Sequence, residues 1–151
     1  MIAHKGFTLV ELLIVLVIMI LGISLVGPNI SSGSDRASLK AASRDLKSAL
    51  RYARGQALIS QQEITLSLDL ATNQYKINSR HQKNYQLSPT IEITLRTAQS
   101  DIQSDQRGNI RFFPDGSSTG GSIILSQAKF GIEVSINWLT GHIEINDVDE
   151  P

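Results

Sequence analysis

MIAHKGFTLVELLIVLVIM, residues 1–19, joins a short polar leader to the start of an apolar run, and the organisation of the chain unfolds outward from that junction. The leader carries Lys5 and ends in Gly6; the run extends from Phe7 to Val26, twenty residues with one ionisable side chain, Glu11. Twenty apolar residues are about what a helix needs to cross the hydrocarbon core of a bilayer. A carboxylate near one end of such a helix costs a few kcal/mol unless it finds a partner, so Glu11 reads as functional. A secretory signal peptide would have an apolar core of about 7–15 residues and then a small-residue cleavage site. Here the run is longer, and no such site follows Val26. A plain signal anchor fits the length but gives no reason for Glu11 at its place.

The run KGFTLVELL resembles the prepilin signature of type IV pilins and type II secretion pseudopilins. The resemblance implies cleavage by a membrane peptidase after Gly6 and N-methylation of the new amino terminus, Phe7. It also implies that Glu11 pairs with the terminal amine of a neighbouring subunit and sets the register of a filament. The physical logic agrees. A lone carboxylate and a lone ammonium in an apolar layer are each expensive, and facing each other they offset that cost. Glu11 is thereby expected to be an assembly determinant, with no role as a catalytic acid.

Composition bounds the remainder. Beyond residue 26 the chain is long enough for one domain of ordinary size. There is no cysteine, so neither a disulfide framework nor a thiolate metal site is available. Charge is balanced overall but unevenly spread. Residues 1–62 carry seven Lys/Arg against three Asp/Glu, and residues 63–151 carry seven against eleven.

After Gly27 and Pro28, where the missing backbone donor of proline should kink or loosen a helix, the stretch from Asp35 to Gln62 predicts a second helical segment. Leu39, Leu46, Leu50, Ala53 and Ala57 recur at helical spacing and form an apolar face. Asp35 fits an N-cap or first-turn acid. Arg36, Lys40, Arg44, Lys47, Arg51 and Arg54 draw a basic stripe along another face. Such a stripe is a solvated face, a surface for acidic neighbours or anionic headgroups, or a phosphate surface. Tyr52 is its only aromatic neighbour, which argues against nucleic acid.

From Glu63 the period changes from helical to two. Ile64, Leu66, Leu68 and Leu70 alternate with polar residues, Ala71 to Gln74 make a turn, and Tyr75 to Asn78 return. Ile91, Ile93 and Leu95 alternate again, and residues 97–109 read as a polar loop or irregular edge. Ile110 to Phe113 and Ser122 to Leu125 predict short strands joined across PDGSSTGG as a hairpin. Ile132, Val134, Ile136 and Trp138 alternate, then Thr140-Gly141 turn into a strand from His142 to Ile145. The expected fold is α+β: a long N-terminal helix, transmembrane then amphipathic, followed by an antiparallel β-sandwich-like domain. The expected divisions are a leader at 1–6, a membrane helix half at 7–26, an amphipathic half at 27–62 and a periplasmic β domain at 63–151.

The C-terminal half narrows the resemblance. RGNIRFFPDGSSTGGSIIL followed by IEVSINWLTGHIEI is similar to the domain of H-type minor pseudopilins and of T-type and U-type minor pilins. The shared features are the loop Phe113, Pro114, Asp115, Gly116 and the turn Leu139, Thr140, Gly141. The resemblance implies a non-enzymatic structural subunit of the bacterial inner membrane, single-pass, with its C-terminal domain in the periplasm. Its partners would be other major and minor pseudopilins, prepilin peptidase, the inner-membrane assembly platform and, before assembly, the lipid bilayer. A minor pilin of a type IV pilus, with a part in DNA uptake, is the alternative. DNA-binding relatives carry a basic C-terminal segment; here HIEINDVDEP has four acidic residues and no Lys or Arg, a poor surface for phosphate.

No cofactor is expected. PDGSSTGG lacks a lysine and precedes a strand where a phosphate loop precedes a helix. Ser117, Asp115 and His142 hold the residue types of a hydrolytic triad, but nothing in the sequence places them together. His4, His81 and His142 are isolated, and Asp147, Asp149 and Glu150 read as a solvated acidic tail rather than a calcium loop.

Overall fold

The computed structural model describes residues 8–26, 29–79, 82–97, 102–104 and 106–149. The chain divides into two compact units, Met1–Ser34 and Asp35–Pro151. Gly6, Phe7 and Pro28, the positions expected to be cleaved, methylated and kinked, lie outside the described residues, as do His4, His81 and Glu150.

In the first unit, α1 (Leu9–Val26) is apolar on every side. Its large side chains from Leu9 to Leu21 are all exposed, Leu9 at 82% and Ile18 at 63%. A helix that is apolar all round belongs in non-aqueous surroundings. Among the described residues no helix is long and apolar enough to cross a membrane. The 18 residues of α1 rise about 27 Å, against a hydrocarbon thickness of about 30 Å.

The second helix, α2 (Asn29–Ser60), starts six residues earlier than its apolar period indicates. Residues 29–34, NISSGS, carry no amphipathic signal, yet adding a turn to an existing helix is cheap compared with starting one. Asp35 therefore lies inside α2 and is not its N-cap; its Oδ1 accepts a hydrogen bond from Gln127 Nε2 at 3.1 Å. The helix stops where Gln61 turns left-handed, φ +54°. Gln61 Nε2 then donates to the Leu58 carbonyl at 2.8 Å, and Ser60 Oγ to the Gln56 carbonyl at 2.7 Å. Two carbonyls of the last turn thus gain side-chain donors, the task a C-cap performs.

Among the described residues nine strands follow, in two antiparallel sheets. β1 (Ile64–Asp69), β2 (Gln74–Asn78), β3 (Lys83–Gln86), β5 (Ile102–Ser104) and β6 (Arg107–Phe112) form one sheet in the order β3-β2-β1-β6-β5. β4 (Glu92–Arg96), β7 (Gly121–Gln127), β8 (Phe130–Ile136) and β9 (Ile143–Asp149) form the other in the order β4-β7-β8-β9. The two-residue period decides which side chains face inward. Ile64, Leu66, Leu68, Ile77, Ile110 and Phe112 of the first sheet share one core with Ile123, Leu125, Ile132, Val134 and Ile136 of the second. The predicted face of α2 closes it: Leu39, Leu46, Leu50, Ala53 and Ala57 are all at 0% exposure. Each buried Leu or Ile contributes about 1.5–3 kcal/mol relative to exposure. Ser43 lies on the same stripe, fully buried, and satisfies its hydroxyl on the Lys40 carbonyl at 3.0 Å.

Two expectations are corrected. PDGSSTGG does not close a hairpin: β6 and β7 belong to different sheets, so the loop is a crossing between them. It first doubles back on β6, through a bridge from Phe112 to Ser118 and a bond from Thr119 N to the Arg111 carbonyl. The acidic tail is not a loose end, because Asp147 and Asp149 are residues of β9, in register with Ile132 and Phe130. Of the two readings for 97–109, the irregular edge holds among the described residues: Ile102–Ser104 pairs with β6 across a shift in register, though β6 itself begins at Arg107, earlier than expected.

Candidate functional site

Glu11 stands at the start of α1, where the first N–H groups of a helix have no partner within it. Thr8 immediately precedes the helix, and Thr8-Leu9-Val10-Glu11 forms a capping box. Glu11 N donates to Thr8 Oγ1 at 3.3 Å, while Thr8 N and Thr8 Oγ1 both lie 3.5 Å from Glu11 Oε2 as donors. These are long bonds on an exposed carboxylate, so the cap orients Glu11 without consuming it. The T-x-x-E spacing was present in the sequence and would have disclosed this second role.

The loop of residues 113–116 and the turn of residues 139–141 meet at Arg54 of α2. Arg54 Nε donates to the Gly116 carbonyl at 3.1 Å, across 62 residues of chain. Gly116 and Gly141 both have positive φ, +87° and +61°. At Gly141 an added Cβ would collide with the Gly116 carbonyl oxygen and come within 2.7 Å of Arg54 Nε. The loop is closed internally: Gly116 N donates to the Phe113 carbonyl and Phe113 N to the Ser117 carbonyl, each at 3.0 Å. Asp115 Oδ1 accepts from Ser117 Oγ at 2.6 Å and from Ser117 N at 2.9 Å. Those two bonds hold the Asp115 carboxyl below its ordinary value. The turn is built alike, with Asn137 Oδ1 accepting from Leu139 N at 3.0 Å and Thr140 N at 3.1 Å. Ser118 joins the two, its N donating to the Trp138 carbonyl at 2.8 Å and its Oγ to the Asn137 carbonyl at 3.1 Å. This end of the domain displays Leu58, Ile59, Trp138 and Leu139, the last three more than 60% exposed.

Of the triad residue types, the structure brings Asp115 and Ser117 together and sets His142 beside Glu144, with His142 Nε2 3.4 Å from Glu144 Oε1. The basic stripe is not uniform. Arg54 is committed to the loop, and Arg36 lies 4.0 Å from Asp147 and 5.6 Å over the Phe130 ring. Lys40, Arg44 and Arg51 are exposed and Lys47 half-buried. On the opposite flank of α2, Tyr75 is buried and stacked on Tyr85 with ring centroids 4.8 Å apart. Burial, then the charge of Asp45 and the ionisable hydroxyl of Tyr85, push its own hydroxyl upward, so it stays neutral.

Comparison with known proteins places this geometry. Residues 42–140 match the family model described as type II transport protein GspH, and residues 1–27 match the prokaryotic N-terminal methylation motif. The chain is 26% identical over 147 residues to type II secretion system protein H of Xanthomonas campestris pv. campestris, covering 97% of this chain and 86% of that protein. In structure it is similar to the type IV minor pilin FimU of Pseudomonas aeruginosa, with a TM-score of 0.58 at 16% identity over 78% of this chain and 97% of that one. It is similar to the minor pseudopilin EpsH from the type 2 secretion system of Vibrio cholerae, with a TM-score of 0.59 at 11% identity over 73% of this chain and 97% of that one. At those identities the two structures establish the fold.

Proposed function

This chain belongs to the GspH family of type II transport proteins, and we propose that it is a minor pseudopilin, a structural subunit of the pseudopilus of the type II secretion system. One observation carries the reading: a bare apolar helix with a single carboxylate held at its first turn shares a chain with a GspH-type β domain. The methylation motif and the family support a membrane-anchored protein with a periplasmic domain. In this reading the apolar run from Phe7 to Val26 resides in the inner membrane until assembly. Prepilin peptidase cuts after Gly6, Phe7 is methylated, and Pro28 marks a helix break at the membrane exit. Glu11 then exchanges its long bonds to Thr8 for the amine of a neighbouring subunit. That exchange is favourable because a carboxylate and an ammonium facing each other in an apolar layer offset each other's desolvation cost, which the neutral donors of Thr8 cannot do for the amine. The Phe113–Gly116 loop and the Leu139–Gly141 turn have an architectural part, fixing the far end of the domain on α2.

The test is Glu11→Gln. It should leave leader cleavage intact and reduce recovery of the subunit in sheared or cross-linked fibres. Equal recovery of variant and native chain would sink the assembly role. The likeness to FimU favours a second reading, a minor pilin of a type IV pilus. A deletion strain scored for both traits separates the two: secretion lost with pili intact supports the pseudopilin, and the reverse supports the pilin.

A further inference from the structure

β9 closes the second sheet on one side, so among the described residues its outer edge has no strand partner. Asn137 N bonds to the His142 carbonyl, and in antiparallel pairing bonded and non-bonded pairs alternate. With Ser135 opposite Glu144 and Glu133 opposite Asn146, the N–H and C=O groups of Glu144, Asn146 and Val148 face β8. Those of Ile143, Ile145 and Asp147 face outward. Alongside this edge runs one flank of α2. Arg36 and Lys40 share a cleft with Asp147 and Val148 at one end of β9, and Arg51 and Arg54 share another with His142 and Ile143 at the other. Lys40, Arg44, Lys47 and Arg51 follow each other at four, three and four residues and so occupy one side of the helix. Among the described residues none of these four cationic groups has an ion-pair partner, while Arg36 and Arg54, at the two ends, are engaged.

An open strand edge flanked by a row of unpaired cations has a definite complement. We infer that the edge of β9 and the basic flank of α2 form a docking surface for an acidic, extended segment of another polypeptide, which adds to the second sheet as a further strand. Backbone pairing at Ile143, Ile145 and Asp147 supplies the register. Every second side chain of the added strand faces α2, so carboxylates at alternate positions meet Lys40, Arg44, Lys47 and Arg51. Phosphate fits less well, because Glu144 and Asp147 stand exposed on β9 itself and would repel a polyanion lacking backbone donors and acceptors. The surface stands on this geometry alone; only the source of the segment, a neighbouring subunit of the fibre, rests on the proposed function.

The experiment uses the full chain in detergent micelles and a peptide of about eight residues alternating glutamate with valine, against a lysine–valine control. The glutamate peptide should bind at low salt and slow exchange of the Ile143, Ile145 and Asp147 amides, leaving Glu144, Asn146 and Val148 unchanged. Asp147→Pro removes an outward N–H at an edge position where proline is tolerated, and should abolish protection while the melting temperature holds. Arg44→Glu with Lys47→Glu should weaken binding by about tenfold or more. No binding overturns the inference, and so does binding without alternating protection, which would be charge adhesion alone. Tighter binding of a short single-stranded DNA of equal charge would assign the surface to nucleic acid instead. Protection that grows with protein concentration and no peptide would give the edge to a second copy of β9. None of these readouts needs a fibre, so failure here is distinct from failure of Glu11→Gln.

Discussion

Replacing Gly141 with alanine should loosen the whole far end of the β domain, and the size of the effect follows from three adjacent atoms. The backbone at Gly141 is left-handed, φ +61°, which costs an L-residue about 1–2 kcal/mol. The new methyl would also strike the Gly116 carbonyl oxygen and approach Arg54 Nε and Cδ at 2.7 and 3.0 Å. Gly116 is backbone in a closed loop and cannot step aside like the tip of a flexible side chain. Relief therefore requires the loop and turn to part, which breaks the bond from Arg54 to Gly116. A charge-assisted bond is worth about 1.5–3 kcal/mol, discounted to about 1 kcal/mol here because Arg54 is half exposed. Together the loss is about 3 kcal/mol, a fall of about 8–15 °C in melting temperature for a domain of this size. Thermal unfolding followed by far-UV circular dichroism measures it. Gly55→Ala is the matched control: nothing lies within 4 Å of its added Cβ, and it sits inside α2, so it should stabilise by about 0.5–1 kcal/mol. If Gly141→Ala melted within about 2 °C of the native chain, the contact among loop, turn and Arg54 would not hold this end together.

Three further outcomes follow. Phe112, fully buried between the sheets, should cost about 3–5 kcal/mol when cut to alanine; denaturant midpoints at unchanged m-value check it. Ala128 holds φ +53° in the β7–β8 turn, so Ala128→Gly should raise stability by about 0.5–1 kcal/mol through relief of strain. Asp115 has its carboxyl held below the ordinary 3.8 by the two bonds from Ser117. Its contribution is therefore fully present above 3.8 and is lost as pH falls through the lower folded value. Protection of the Ser117 amide, its exchange rate taken relative to the intrinsic rate at each pH, should fall on acidification in the native chain, and Asp115→Asn should flatten that response.

Much of this was legible in the residues, and each exception has a physical cause. The buried stripe of α2 and the alternating runs of β1, β4 and β8 show in sequence because burial of one face imposes a period. β3, KNYQ, and β5, IQS, lie at sheet edges and are four and three residues long, too short to carry a period. The acidic end of the chain looked solvated because an edge strand tolerates charge. The crossing at PDGSSTGG escaped because Asp-Gly chemistry specifies a local reversal, whereas the sheet the chain enters next depends on partners far away. Arg54 was visible as one member of a stripe, but its bond to Gly116 is a meeting of distant segments that spacing does not encode. At the N-terminus the opposite holds: the Thr8–Glu11 cap was written locally and was obscured by the stronger resemblance around it.

The bond from Arg54 to a carbonyl 62 residues later also bears on the order of folding. As the chain emerges, α2 appears early with Leu39, Leu46, Leu50, Ala53 and Ala57 uncovered, and the core they share includes residues of strands made last. The bond must wait for Gly116, and the packing of Gly141 against it must wait for the turn before β9. Contacts between such distant segments carry a loop-closure cost before they return any stability, which slows folding. For that interval the apolar stripe of α2 stands open, and whatever escorts the nascent chain has a hydrophobic helix to hold rather than a domain.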